Sequence, residues 1–211
     1  MKHQVYIYLL IIIGCNNHDH FTNTLEKVDY KVLKDIPIET DGYLKGKQDF
    51  LYPFIKSDAF QLGLDSLELG YDSLQVRIWL GHSMALKRDV VILKYSKEQW
   101  QAIHIKFELG DKDELKHKIV RKVVPSSGWN RFLNRVLELK MLELPDEKEI
   151  EGYDGCGADG NPFYFEWAST KKYRFYSYCN PDGNVEKFWQ ARNVLSIADF
   201  LEKEFGFDYT R

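Results

Sequence analysis

The sequence predicts an α+β domain: an antiparallel sheet, built from a meander and a second hairpin, with two or three helices packed on one face. Three observations predict it. Apolar side chains alternate with polar ones in two separate blocks, and helical spacing appears between and after them. The turns within each block are too short for the crossovers that parallel strands need.

The first block reads as a meander. Alternation over residues 73–80 indicates a half-buried strand. Residues 90–95 and 103–108 give two more candidates, separated by a short polar turn. Residues 116–124 add a possible fourth strand, which Pro125 ends.

An amphipathic helix follows the meander. Its apolar side chains recur at positions i, i+3, i+4, i+7 and i+8, and they are Trp129, Phe132, Leu133, Val136 and Leu137. Pro145 marks its end. The acidic stretch 143–154 that comes next is predicted to be a solvated connection between elements.

The second block predicts a hairpin over residues 163–178, with its turn near 169–172. A final helical region runs from about Asn184 to Gly206, as one helix or as two broken near Asn193.

Several aromatic residues fall on the presumed polar faces of these strands. They are Trp79, Tyr164, Tyr176 and Tyr178. Exposed there, they would form a binding platform for a sugar, a peptide or a partner protein. The alternative is that the second face of the sheet is covered, either by the helices or by residues 25–69, whose pattern is hard to interpret.

Charge argues against a nucleic-acid partner. The 211 residues carry 29 basic and 32 acidic side chains, a formal net charge of -3, with no long basic cluster. Motifs for a phosphate cradle, a dinucleotide site and a serine nucleophile elbow are absent from the sequence. The sequence His18-Asp19-His20 offers two imidazoles and a carboxylate as metal ligands, but it lies on a polar linker that does not fix their geometry. We therefore predict no catalytic residue, no metal ligand and no cofactor.

Two cysteines, Cys156 and Cys179, lie in the second half of the chain. A disulfide between them is the first expectation for an oxidising compartment. The hairpin allows this pairing without requiring it, because Cys156 must turn back through a glycine-rich loop. Two separate thiols remain open as the alternative, and a catalytic thiolate paired with a distant histidine is a third.

The amino terminus has the features of a secretory signal. Lys2 is followed by the apolar run 5–13, which is too short to span a bilayer, and then by Gly14 and Cys15. The sequence Ile12-Ile13-Gly14-Cys15 resembles the lipobox of bacterial lipoproteins. This resemblance implies cleavage after Gly14, a diacylglyceryl thioether on Cys15 and acylation of the new amino terminus.

The predicted organisation follows from this resemblance: residues 1–14 are a signal peptide, 15–24 a lipid-attached tether and 25–211 a single α+β domain. The expected location is the cell envelope, anchored to a bacterial membrane and facing the periplasm or the cell surface. An ordinary secretory signal, or an uncleaved apolar end, is the alternative.

Residues 70–79, 127–130 and 188–191 resemble segments of bacterial envelope lipoproteins, a resemblance that implies no activity. The expected function is a membrane-anchored binding or assembly module for a protein, peptide or glycan ligand. The competing class is an envelope hydrolase whose site is assembled only in the fold. Its candidate groups are Asp154, Asp159, Glu166 and His104.

Overall fold

The computed structural model describes residues 31–39, 45–49, 51–80, 87–155 and 161–209. The predicted signal peptide, Cys15, the tether, Cys156 and Asp159 lie outside these residues.

A seven-stranded sheet organises the domain, in the order β1-β7-β6-β2-β3-β4-β5. The strands are β1 (Leu33–Asp35), β2 (Leu74–Leu80), β3 (Lys87–Ser96), β4 (Gln99–Leu109), β5 (Leu115–Val123), β6 (Pro162–Ser169) and β7 (Lys172–Cys179). Every neighbouring pair is antiparallel except β1 and β7, which are parallel. The predicted meander and hairpin therefore join into one sheet, because β6 pairs with β2.

The helices complete the α+β class that the sequence predicts. They are α1 (Tyr52–Gln61), α2 (Trp129–Glu138), α3 (Pro181–Asn184) and α4 (Trp189–Phe205), with short 3-10 turns at Leu67–Leu69 and Glu147–Glu149. α4 ends at Gly206, which adopts the left-handed conformation (φ 64°) that glycine adopts without strain. No helix in the described ranges is long and apolar enough to cross a membrane.

α2 and α4 cover one face of the sheet. Phe132 of α2 and Leu201 of α4 are fully buried against Ile78 of β2 and its neighbours. Leu137, which the helical spacing assigns to the apolar face of α2, is 65% exposed. The buried stripe of α2 is therefore narrower than the sequence indicates.

α1 covers the opposite face. Its buried apolar side chains, Tyr52, Ile55 and Ala59, pack in a second core with Trp79 and Phe175. The helices thus lie on both faces of the sheet, whereas the sequence predicted them on one. The central strands are therefore buried on both faces, including the face of β2 that carries Gln75 and Arg77.

Burial also excludes the aromatic platform that the sequence left open as one of two alternatives. Trp79 and Tyr176 are 0% exposed, Tyr164 is 1% exposed and Tyr178 is 0% exposed. The structure shows the alternative, in which the second face of the sheet is covered. These four side chains belong to the two cores and cannot form an exposed binding surface.

The acidic connection after α2 is less solvated than its composition suggests. Asp146 is 1% exposed and caps the 3-10 turn that follows it, in a reciprocal capping box with Glu149. Its other carboxylate oxygen accepts a hydrogen bond from the Ser177 backbone N–H at 2.8 Å. This segment is therefore tied to β7.

Candidate functional site

A cavity of about 200 Å³ lies between α1, the first 3-10 turn and the sheet. We call this cavity the Glu166 pocket. Its polar lining includes Tyr52, Lys56, Glu68, Arg77, Glu166 and Tyr173. Phe60 of α1, which is 84% exposed, also lines this cavity.

Glu166 and Arg77 form the floor of this pocket, and the sheet register places them. They are direct cross-strand partners on β6 and β2. Arg77 Nη1 lies 3.7 Å from Glu166 Oε2, and both side chains are almost completely buried. Two charged groups can be buried here because each compensates the other.

Neutral donors complete the floor. Trp79 Nε1 donates to Glu166 Oε2 at 3.0 Å, and the Tyr173 hydroxyl donates to Oε1 at 3.0 Å. Arg77 Nη2 donates to the Asp65 carbonyl at 2.6 Å. Burial raises the pKa of Glu166 against the opposing effects of Arg77, Trp79 and Tyr173, and burial lowers the pKa of Arg77.

Glu68 lies in the pocket wall on the 3-10 turn. Its carboxylate accepts hydrogen bonds from the Tyr52 hydroxyl at 2.7 Å and from Lys34 Nζ at 2.6 Å, and it pairs with Lys56. Burial acts to raise the pKa of Glu68, but these three partners together lower it to about 2.

The pocket therefore brings together two carboxyl groups whose environments shift their pKa values in opposite directions. Such a pair is typical of general acid–base sites, in which one group keeps a proton and the other does not. The lining also balances two cations, Lys56 and Arg77, against these two acids. A neutral polar ligand suits a lining of this charge.

A second cavity, of about 260 Å³, lies on the other side of the molecule, against β4 and β5. Its lining includes His104, Lys106, Ile119, Arg121, Phe207 and Asp208, and we call it the His104 pocket. His104 Nε2 lies 2.7 Å from Asp89 Oδ1, and the Phe207 ring stacks on the imidazole at 4.2 Å. An Asp–His pair is part of hydrolytic triads, but no serine or cysteine is among the described residues lining this pocket.

An acidic cluster around Lys148 is the third group of buried charges. Lys148 Nζ pairs with Asp49, which is 0% exposed, and lies 3.7 Å from Glu39 Oε1. Burial raises the pKa of Asp146 to about 6 and that of Glu147 to about 7. Glu147 Oε2 accepts a hydrogen bond from the Cys179 backbone N–H at 2.5 Å.

The residues that the sequence suggested for a hydrolase are not gathered in one site. Glu166 lies in one pocket and His104 in the other. Asp154 lies in neither lining, and its backbone carbonyl accepts a hydrogen bond from Asn184 Nδ2. Cys179 is buried at the end of β7. Because Cys156 lies outside the described residues, the disulfide stays a prediction, as does lipidation of Cys15.

Sequence reasoning missed Tyr52, Glu68 and Arg77 as members of a pocket. Arg77 carried only a weak signal, because it falls on the presumed polar face of the strand, between Gln75 and Trp79. No group of histidine, cysteine, aspartate and glutamate in the part of the chain that the structure describes has a metal-binding arrangement.

Neither the known protein families nor the curated proteins nor the solved structures include a match to this chain. Its class is accordingly defined by its own geometry: an α+β domain with a mixed sheet covered on both faces and a polar pocket under α1.

Proposed function

We propose that this protein is a lipid-anchored lipoprotein of the bacterial cell envelope whose α+β domain binds a neutral polar ligand in the Glu166 pocket. The observation that carries the binding proposal is the charge-balanced lining of that pocket. The anchoring proposal depends on the amino-terminal sequence up to Cys15.

Cavity size limits the ligand. About 200 Å³ is below the range of about 300–1,000 Å³ that drug-sized ligands occupy. A group of the size of one sugar unit or one amino-acid side chain suits this space. The Glu68 carboxylate and the Lys56 ammonium line the pocket and can form hydrogen bonds with the hydroxyl groups of a sugar, and the exposed Phe60 ring offers a stacking surface. A terminal sugar of a glycan is therefore the ligand class that we favour.

Anchoring is tested by intact-mass analysis of protein extracted from membranes, without reductant and then after reduction and thiol labelling. Cleavage before Cys15 with added acyl chains, and no free thiol until reduction, would support the anchor and the disulfide together. The Cys15→Ser variant is the matched control, and it should lack the acyl mass. An unprocessed chain with three free thiols would contradict both proposals.

Ligand binding is tested with a panel of neutral monosaccharides, monitored by chemical-shift changes of backbone amides. We expect shifts at α1 and at the 3-10 turn that holds Glu68. Lys56→Gln and Glu68→Gln should weaken binding about tenfold each, since each removes a charge-assisted contact worth about 1.4 kcal/mol. Tyr95→Phe, on β3 and outside the pocket lining, serves as the control. If no monosaccharide shifts these amides, the glycan proposal is wrong.

A hydrolase is the second candidate, and the opposite pKa shifts of Glu166 and Glu68 favour it. Glu166 would donate a proton to the leaving group, and Glu68 would activate water. Chromogenic aryl glycosides provide the assay, in which Glu166→Gln and Glu68→Gln should each lower turnover by about a hundredfold or more. Saturable binding without turnover by the wild-type protein would exclude this candidate.

A further inference from the structure

Strand β5 forms one edge of the sheet, and no described strand pairs with its outer side. It is nine residues long and is exposed on both faces along most of its length. An edge strand of this kind presents a row of backbone N–H and C=O groups to which a further strand can pair.

The charge of β5 differs from that of the chain as a whole. Four of its residues are cations, Lys116, Lys118, Arg121 and Lys122, and none is acidic. Lys118 Nζ donates to the Leu62 carbonyl at 2.9 Å. The other three cations make no hydrogen bond or ion pair with any part of the chain that the structure describes, and their charges are available to a partner.

Lysines on an edge strand also discourage aggregation, so the charge alone does not define a docking site. A strand that only resists aggregation would not need exposed apolar side chains. In β5, however, Ile119 is 40% exposed and Val120 is 54% exposed. Apolar side chains between cations offer contact area on both faces of an added strand.

The His104 pocket opens beside the same strand. Arg121 is the direct cross-strand partner of His104, and Ile119 is the partner of Lys106. All four residues line the pocket, together with Asp208, whose carbonyl accepts a weak hydrogen bond from Lys106 at 3.4 Å. A strand added outside β5 would direct alternate side chains toward this face of the sheet.

We propose that β5 docks an extended acidic segment of a partner protein, which adds an eighth strand and places one carboxylate side chain in the His104 pocket, near Lys106 and Arg121. Main-chain hydrogen bonds to the edge provide affinity, and the pocket provides selectivity. A second copy of β5 does not fit this role, because pairing two such strands would oppose cation to cation. The proposal is independent of the ligand in the Glu166 pocket.

The test uses a labelled peptide of about eight residues in which glutamate alternates with valine, a length typical of one strand. Fluorescence anisotropy measures its affinity for the full chain, and amide hydrogen exchange locates the site. We expect saturable binding that weakens with added salt, together with slower exchange of β5 amides. A peptide in which lysine replaces glutamate should not bind.

Variants of the chain test whether the peptide binds at β5 or elsewhere on the surface. The double substitution Arg121→Glu with Lys122→Glu should weaken binding by about tenfold or more, while Lys187→Glu, an exposed lysine outside β5, should change it by less than about twofold. Circular dichroism confirms that each variant is folded.

Three results would overturn the proposal. One is equal affinity of the double variant and the wild-type protein for the glutamate peptide. Another is protection of β5 amides by vesicles of phosphatidylglycerol and phosphatidylcholine instead of by the peptide, which would make this edge a membrane-facing surface. The last is dimerisation of the chain that is lost in the double variant.

Discussion

Glu166 and Arg77 illustrate how single residues determine both the stability and the chemistry of this domain. Each is removed from water, and each is compensated mainly by the other, at 3.7 Å. A buried pair of this kind contributes little compared with a well-packed apolar pair, but the loss of one member leaves an uncompensated charge in the core.

Glu166→Ala should lower the free energy of unfolding by about 3–5 kcal/mol, because Arg77 would stay buried without its counter-ion. Urea denaturation provides the measurement. Glu138→Ala is the matched control, since Glu138 pairs with Arg135 at 2.8 Å on the surface and should contribute about 1 kcal/mol or less. Similar losses in the two variants would show that the Glu166–Arg77 pair is not a buried ion pair.

The carboxyl groups of Asp146 and Glu147 make stability depend on pH. Their pKa values in the folded protein, about 6 and about 7, lie above the ordinary values of 3.8 and 4.5 because burial disfavours the charged form. Between pH 4 and pH 7 the folded state therefore holds more protons than the unfolded chain. The contribution of these two groups to stability therefore falls as the pH rises through this window.

Glu147→Gln should remove part of this dependence, since glutamine stays neutral at every pH. Relative to the wild-type protein, the variant should gain about 1–3 kcal/mol of stability between pH 5 and pH 7. Thermal unfolding across this range measures the difference. Glu151→Gln, at an exposed neighbouring position, should show a difference that does not change with pH; a flat difference for Glu147→Gln as well would contradict the expectation.

Among the secondary-structure elements, the junction between the first 3-10 turn and β2 depends on one glycine. Gly70 has φ 85° and ψ 171°, a conformation essentially restricted to glycine. A Cβ atom there would lie 3.1 Å from the Ser169 carbonyl oxygen and 3.3 Å from that of Thr170, in the turn between β6 and β7. This close approach fixes the entry of β2 beside the hairpin.

Gly70→Ala should cost about 1–3 kcal/mol in backbone strain, and its close contacts add to that cost. Gly63→Ala is the control, because Gly63 also has a positive φ of 73° but nothing within 4 Å of a Cβ, and it should cost about 1–2 kcal/mol. Chemical denaturation compares the two. A smaller loss for Gly70→Ala would mean that the hairpin turn shifts without penalty.

The elements also show what the sequence could predict. The strands of the meander, the second hairpin, α2 and α4 were predicted correctly because their apolar spacing is regular. α1 was missed because the polarity of its side chains does not indicate which of them are buried. It buries the charged Asp58 and leaves the apolar Phe54 and Phe60 exposed. Asp58 is compensated by Arg88 at 2.6 Å, a contact between distant parts of the chain.

The faces of the second hairpin were misassigned for a related reason. Sequence reasoning placed Tyr164 on the same face as Tyr176 and Tyr178. The register pairs Phe165 with Tyr176 and Phe163 with Tyr178, which puts both tyrosines in the core under α2 and α4. With apolar or aromatic residues on both faces, alternation alone cannot show which side faces which helix. The Glu166 pocket was unpredictable for the same reason, since it requires α1 to be placed first.

At the scale of the whole molecule, the proposed bond between Cys156 and Cys179 would link the end of the sheet to the preceding loop. Reduction should then lower the free energy of unfolding by about 3 kcal/mol, the value that the chain-entropy model gives for a loop of this length. Urea denaturation with and without reductant measures this loss. The Cys156→Ser variant should be insensitive to reductant, and an equal response of variant and wild type would contradict the bond.

The strand order separates the two ends at which this protein would meet other molecules. β1, the first element among the described residues, forms one edge of the sheet, and β5 forms the other. Six strand spacings of about 4.8 Å place these edges about 29 Å apart. With a lipid anchor on the amino-terminal side of β1 in the sequence, an eighth strand added to β5 would lie seven such spacings, about 34 Å, from β1. A partner strand on β5 would therefore leave the β1 edge uncovered, so that both edges of the sheet can be engaged at the same time.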